Sequence, residues 1–245
     1  MVWRARRGDK SPAVRLVIPP GVFRPPSDAH LLAAALRPHA PGADVLDLCT
    51  GSGVLAVAAA RNGARSVTAV DVSRRAVATA WINGRLNGAR IRARRGDLYH
   101  AVRAEHFDLI VANPPYIPAA DERPAGRGPR RALDAGIDGR LFLDRVFDGA
   151  RAHLRPGGTV LVVHSSFNGI ERSLQQLRDA GLEADVAASH RGPLGPVVRS
   201  RAAVLEARGL LAPGQHDEEV VVIRGRRPRR MVTREPMISA APRPH

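Results

Sequence analysis

Four residues that follow an apolar run have the chemistry to hold a planar –NH2 group: Asn113-Pro114-Pro115-Tyr116, after Phe107-Asp108-Leu109-Ile110-Val111-Ala112. The run reads as a buried strand, and a strand of an open α/β sheet delivers its exit turn to the carboxyl edge, where such folds bind ligands. Proline fixes its own φ at about −65° and restricts the residue before it, so the turn is stiff before any ligand arrives. Asn113 brings one acceptor and two donors, and the Pro114 carbonyl brings a second acceptor. Together they can take both hydrogens of an amide or amino group, with Tyr116 as a flat apolar wall. Methyl transfer to such a nitrogen is the chemistry this suits. Read alone, the tetrapeptide is also compatible with a strand exit that Pro-Pro merely stops.

A second constellation lies upstream, in Val45-Leu46-Asp47-Leu48-Cys49-Thr50-Gly51-Ser52-Gly53. Gly51 and Gly53 allow a backbone approach that a side chain would block. Position 56 is Ala, which the third place of a dinucleotide fingerprint tolerates, and no phosphate-binding Lys follows, which argues against a nucleoside-triphosphate loop. Asp71, in Val70-Asp71-Val72, ends the next strand, where a carboxylate accepts from two ribose hydroxyls. Asp97, in Gly96-Asp97-Leu98, ends the third and could accept from an adenine amine. Taken singly, each Asp also reads as a helix cap or a solvated turn. Three carboxylates at successive strand ends, with no provision for phosphates, favour the cationic S-adenosylmethionine over NAD. The cofactor-binding candidates are therefore Asp47, Thr50, Gly51, Gly53, Asp71, Val72, Asp97, Leu98 and Asn113. The catalytic candidates are Asn113, Pro114 and Tyr116.

Alternating strands and helices must position these turns. A short strand is predicted at Val14–Ile18, then a helix through Leu31–Leu36 capped by Ser27 or Asp28 and ended by Pro38. Strand Val45–Leu48 leads through the glycine turn into an Ala-rich helix that Gly63 ends. Strand Ser66–Val70 is followed by a helix capped at Ser73 and running to about Asn87, with Gly88 at C′. Strands at Ile91–Arg94 and Leu109–Ala112 follow, then a polar loop over 119–139 that is too long to be a mere connector. A helix over Gly139–Leu154, strand Val160–His164, a helix over Ile170–Ala180 and two antiparallel strands at the sheet edge, Glu183–Ala188 and Glu219–Ile223, complete a doubly wound, mostly parallel α/β sheet.

The charge of +15 is concentrated at the ends: residues 1–15 carry five bases against one acid, and residues 225–245 carry six against one. The expected organisation is a basic arm over 1–15, one domain over 16–224 and an Arg/Pro-rich disordered tail over 225–245. Basic ends can touch ribosomes, RNA or acidic proteins, and they are equally what a GC-rich coding sequence produces. With Cys49 alone there is no intrachain disulfide, and no apolar run is long enough to span a membrane. The N-terminus lacks the apolar core of a secretory signal, so a cytoplasmic enzyme is expected. The histidines lack metal-ligand spacing, and no metal site is expected. Cys49 reads as a small packer and His164 as a strand-end residue with local hydrogen bonds. Arg130 and Arg131 are candidates for contact with an acidic substrate, or residues of a solvated loop.

At this point the chain resembles the class I S-adenosylmethionine-dependent methyltransferases, and more narrowly the HemK-type glutamine methyltransferases that modify translation release factors. The resemblance covers roughly residues 15–224. It rests on Phe23-Arg24-Pro25-Pro26-Ser27-Asp28, Asp47 through Gly53, Asp71, Asp97, Asn113 through Tyr116, and Leu133-Asp134-Ala135-Gly136-Ile137-Asp138-Gly139, in that order. It implies a seven-stranded Rossmann-like methyltransferase sheet with an antiparallel edge strand, S-adenosylmethionine as cofactor and a protein substrate, a release factor. With about forty residues ahead of the first cofactor strand, the chain looks closer to the short single-domain branch, whose eukaryotic members work with a small zinc-binding partner. Asn-Pro-Pro-Tyr is shared with enzymes that methylate base amino groups, so an RNA or DNA amino-methyltransferase and a small-molecule N-methyltransferase stay open as alternatives.

Overall fold

Strands that read as unbroken apolar runs belong in a sheet covered on both faces, and the computed structural model places them there. It describes residues 2–3, 14–25, 27–122 and 129–229. In chain order the elements are β1 (Val2–Trp3), β2 (Val14–Arg15), α1 (Ser27–Leu36), β3 (Asp44–Leu48), α2 (Val54–Arg61), β4 (Ser66–Asp71), α3 (Arg74–Leu86), β5 (Ile91–Arg95) and β6 (Phe107–Ala112). They continue as α4 (Leu141–His153), β7 (Leu154–Ser165), α5 (Ile170–Asp179), β8 (Glu183–Pro193), α6 (Pro196–Ser200), α7 (Ala202–Ala207) and β9 (Asp217–Arg226). The main sheet has seven strands in the order β5-β4-β3-β6-β7-β9-β8. The pairs from β5 to β7 are parallel, and β9 runs antiparallel between β7 and β8. The expected fold is confirmed.

Alternation along each strand sorts the core into two layers. Val45, Val67, Leu109, Val111, Leu161 and Val163 meet α1 and α2 on one face. Leu46, Val70, Ile110, Val160 and Val162 meet α4 and α5 on the other. Ser73 caps α3 as expected, its hydroxyl accepting from the Ala76 N–H, and Gly88 follows with φ of 68°.

Several boundaries differ from expectation, each for a local reason. Ser27 and Asp28 lie inside the first turn of α1 rather than ahead of it, and Pro38 sits in a 3-10 turn over Arg37–His39. Only Val14–Arg15 of the predicted first strand pairs, with Val2–Trp3. Beyond it, side-chain amides of α3 replace a neighbouring strand: Asn87 brackets Arg15, and Asn83 bonds the Val17 N–H at 2.8 Å and the Val17 carbonyl at 2.9 Å. Strand β7 starts at Leu154, not Val160, with a register irregularity opposite β6 that absorbs Pro156-Gly157-Gly158. Strand β9 continues past Gly225 to Arg226, and Arg227 exchanges backbone bonds with Gly157 and Gly158. Residues 225–229 of the predicted tail are thus part of the described structure, and residues 230–245 lie outside the described residues, as do 4–13 of the arm. Helices α6 and α7 have no counterpart in the sequence reading.

Candidate active site

The parallel register brings the chemistry-bearing turns side by side. Leu48 pairs with Val70 on one flank and with Ala112 on the other, so Cys49 has Asp71 and Asn113 as its neighbours at the sheet edge. Adjacent strands lie about 4.8 Å apart, which sets the width of the cleft floor. Cys49 itself has φ of 58° and Leu98 has φ of 47°, two non-glycine residues in the left-handed region at the ends of β3 and β5. Such strain gathers where a backbone must be bent toward a ligand. Asp71, Asp47, Asp97 and Arg145 all act on the Cys49 thiol, which burial, first, and the carboxylates push well above its usual range. Cys49 is therefore an un-ionised thiol at this turn.

Asp47 is fully buried and turned into the protein. Its Oδ2 accepts from the Thr50 hydroxyl at 2.6 Å and the Ala56 N–H at 3.0 Å, which ties the glycine turn to α2. Its Oδ1 is buried with no hydrogen-bond partner among the described residues. Burial pushes this carboxyl up to about 7, against the pull of the Thr50 and Ala56 bonds. Gly53 has φ of 78°, and a Cβ there would stand 2.7 Å from the Ala80 Cα, so only glycine lets the turn lie against α3. A Cβ at Gly51, with φ of 52°, would meet only the Cys49 carbonyl oxygen, at 4.0 Å. Asp71 holds the turn from the other side: its Oδ2 accepts from the Gly51 N–H at 3.0 Å and its Oδ1 from the Ser73 N–H at 2.9 Å. Val72 offers its carbonyl to Arg95 Nε at 3.2 Å, and Leu98 is buried beneath the following turn. Asp97 is paired with Arg145 of α4 at 2.6 Å.

Asn113 is half-buried, and among the described residues nothing hydrogen-bonds its side-chain amide. Pro114 is buried beside it. The ring of Tyr116 is anchored at its hydroxyl, which donates to Asp28 of α1, and lies 6.4 Å from the ring of Phe167. Burial, first, and Asp28 hold this phenol well above its usual range, so it is a neutral donor. Asp28 sits in the segment singled out ahead of the first helix, but its contact with Tyr116 was not foreseen.

Sequence reasoning also missed Arg140, Asn168 and Asn83. Arg140 is 2% exposed and reaches the Asn168 carbonyl at 2.6 Å, the Ser173 hydroxyl at 2.9 Å, Gln176 at 3.0 Å and Asp144 at 2.8 Å. Asn168 in turn donates to the Tyr116 carbonyl at 2.8 Å, locking the end of the Asn-Pro-Pro-Tyr turn. Gly139 makes room for that contact, since a Cβ there would lie 2.4 Å from the Tyr116 oxygen. Asn83 bonds the Ser52 carbonyl at 2.8 Å and so steadies the glycine turn. Both Asn residues carry a usable signal, an amide at a buried position. Arg140 carries none. His164 is fully buried with Nδ1 donating to the Ser165 carbonyl at 2.9 Å, and burial pushes it down to about 4, leaving a neutral imidazole behind Phe147. No group of three His, Cys, Asp or Glu side chains placed to hold a metal occurs among the described residues, and no helix among them is long and apolar enough to cross a membrane.

The comparisons with known proteins bear on this geometry. The methyltransferase small domain family matches residues 14–125. A Methanocaldococcus jannaschii protein named as a protein N5-glutamine methyltransferase is 32% identical over 180 residues, 74% of this chain and 90% of its own. The chain belongs to the protein N5-glutamine methyltransferase family. It is accordingly an S-adenosylmethionine-dependent methyltransferase. The release factor glutamine methyltransferase of Geobacter sulfurreducens is 41% identical over 155 residues, 60% of this chain. This methyltransferase spans only about half of that relative's length, 54%. Among solved structures, the Mtq2–Trm112 complex of E. cuniculi, responsible for methylation of the eRF1 translation termination factor, shares the fold with a TM-score of 0.57 at 22% identity, over 84% of this chain and 99% of that one.

The residues present fit the cofactor. The unpartnered Asp47 oxygen and the Asp71 carboxylate beside Gly51 form an acidic, phosphate-free cradle, which suits a cationic ligand carrying amine and ribose hydroxyl donors.

Proposed function

We propose that this chain transfers the methyl group of S-adenosylmethionine to the side-chain amide nitrogen of a glutamine in a protein, a translation release factor foremost. The single observation that supports this most strongly is Asn113, whose amide nothing in the described protein engages, one strand away from the Asp47–Gly53 turn. In this reading Asp47, Thr50, Gly51, Gly53, Asp71, Val72, Asp97, Leu98 and Asn113 hold the cofactor, which supplies an electrophilic methyl on a sulfonium. The Asn113 Oδ1 and the Pro114 carbonyl each accept one N–H of the acceptor amide, turning the face of its nitrogen toward the methyl group. Tyr116 packs on the amide plane, its ring held by Asp28 and its carbonyl by Asn168. Positioning carries the rate, and the two acceptors stabilise the positive charge that develops on the nitrogen as it loses its lone pair. No ionised general base lies in the turn, and the surplus proton leaves to water after transfer.

Family membership and the names of the relatives support a polypeptide acceptor. Around this core we place the chain in the cytoplasm, with its basic ends touching ribosome or RNA, and with a small activating subunit. The test is transfer of label from S-adenosylmethionine to purified release factor, followed by mapping of the modified residue. Asn113→Ala should lower kcat by at least about a hundredfold. Near-normal turnover of that variant sinks the assignment, and label that nuclease removes moves it to a nucleic-acid base.

A further inference from the structure

Directly beyond the Asn-Pro-Pro-Tyr turn lies a cleft of about 420 Å3, walled on one side by the loop from Pro118 and on the other by α7. Its position follows from the chain itself: Pro118 is two residues past Tyr116, so the wall begins within about 7 Å of it. The α6–α7 segment is inserted between β8 and β9 and contributes nothing to the cofactor turns. Its underside is apolar, with Leu194, Val198, Leu205 and Leu211 packed on Phe167 and against Tyr116 and Ile117. Two arginines bolt it to the loop. Arg201 donates to the Pro118 carbonyl at 2.6 Å and pairs with Asp134 at 2.8 Å, while Arg208 donates to the Ala119 carbonyl at 2.6 Å. The loop is itself doubled back, with Ile117 and Ala135 bonded at 3.0 Å and Ala119 and Gly136 at 2.7 Å. Both walls are thus set before any ligand arrives, which lowers the ordering cost of binding.

Inside this frame two side chains are left over. Val204 is 51% exposed on the cleft side of α7, where burial of its outer face has no structural partner. Arg130 is exposed at the lip, and no carboxylate pairs with it among the described residues. A cleft with an apolar floor and one uncommitted fork of N–H donors suits an extended polypeptide, with small apolar side chains on the floor and carbonyl or carboxylate oxygens at the lip. Pro118 and Ala119, which line the cleft, continue the chain out of the Asn-Pro-Pro-Tyr turn, so a polypeptide that presents a side chain at Asn113 can run on into it.

We infer that the cleft between Pro118 and α7 seats the polypeptide that flanks the acceptor glutamine, with Val204 as its floor and Arg130 as its cationic lip. This rests on the proposed glutamine methylation. The experiment is steady-state methylation of a full-length release factor, and of the protein fraction of a cell extract, by the whole chain and by Val204→Asp, Arg130→Glu and Arg130→Lys. Both side chains are exposed, so the variants should fold, and binding of S-adenosylmethionine should be unchanged in all three. Val204→Asp and Arg130→Glu should raise KM for the protein acceptor at least tenfold with kcat within twofold at saturation. Arg130→Lys should recover most of the loss. KM values within twofold of the parent in both disruptive variants overturn the inference and leave the proposed function standing. A parent enzyme that labels no protein overturns the proposed function and the inference with it.

Discussion

Asp47→Asn isolates what the buried carboxylate does. In the folded chain burial pushes the Asp47 carboxyl up to about 7, whereas in the unfolded chain it titrates at the ordinary 3.8. Between those values the folded state binds the extra proton, so the stability present below the unfolded pKa is lost as pH rises through the folded one. Relative to a carboxyl with no shift, the stability lost is about 2 kcal/mol at pH 5.5 and about 4 kcal/mol at pH 8, from 1.36 kcal/mol per unit. An Asn keeps the acceptor for the Thr50 hydroxyl and the Ala56 N–H, and its own packing offset does not depend on pH. The stability of the variant relative to the parent should therefore climb by about 2 kcal/mol from pH 5.5 to pH 8. For a chain of this size that is a relative rise in Tm of about 4–8 °C. The assay is urea or thermal unfolding of both proteins without cofactor across that range. A difference between them that stays flat with pH refutes the reasoning, because the carboxylate would then be ionised at no cost. The second arm is cofactor affinity: the Asp47 Oδ1 is a buried oxygen with no hydrogen-bond partner among the described residues, so if it serves the cofactor the variant should bind S-adenosylmethionine at least tenfold more weakly even where it is the more stable protein.

Other perturbations probe the supports of the site. Arg140→Ala should cost about 3 kcal/mol, since it strips a buried carbonyl, a hydroxyl and an amide of their donor, and should lower kcat more than it raises the KM for cofactor, because Asn168 would no longer be held against Tyr116. Arg140→Lys should not restore activity, because a point charge cannot replace the fork. Denaturation and initial rates check both. At the opposite end of the sheet, hydrogen bonds from Arg65, first, with Ser66 and Arg155 hold Asp44 well below the usual carboxylate range, and Arg224 does the same for Asp185. Their contribution is present above the ordinary carboxylate pKa and is lost as pH falls below it, so Asp44→Asn should flatten the acid limb of the stability curve. Arg65 and Arg155 are solvent-exposed, so the flattening should be small and weaken with salt.

The amino-acid sequence determined the parallel sheet, the glycine turn, the order of the three carboxylates and the Asn-Pro-Pro-Tyr turn, because each is written in residues close together along the chain. A strand's apolar run, a glycine that must bend and a proline that must stiffen declare themselves locally. Register then follows, since Leu48 pairs on both sides with the last residues of apolar runs. Direction and partnership were decided only in three dimensions. Which way Asp47 faces depends on α2 closing over it. Tyr116 is held by Asp28, 88 residues earlier, and by Asn168, 52 residues later. Helices α6 and α7 are too short to show a periodicity, and they matter only because Arg201 and Arg208 find carbonyls 83 and 89 residues away. An arginine gives no sign in the sequence of whether it will meet water or a buried carbonyl. The topology decides that, by choosing which distant segments become neighbours, and the low dielectric between them then makes each satisfied donor and each orphaned oxygen count.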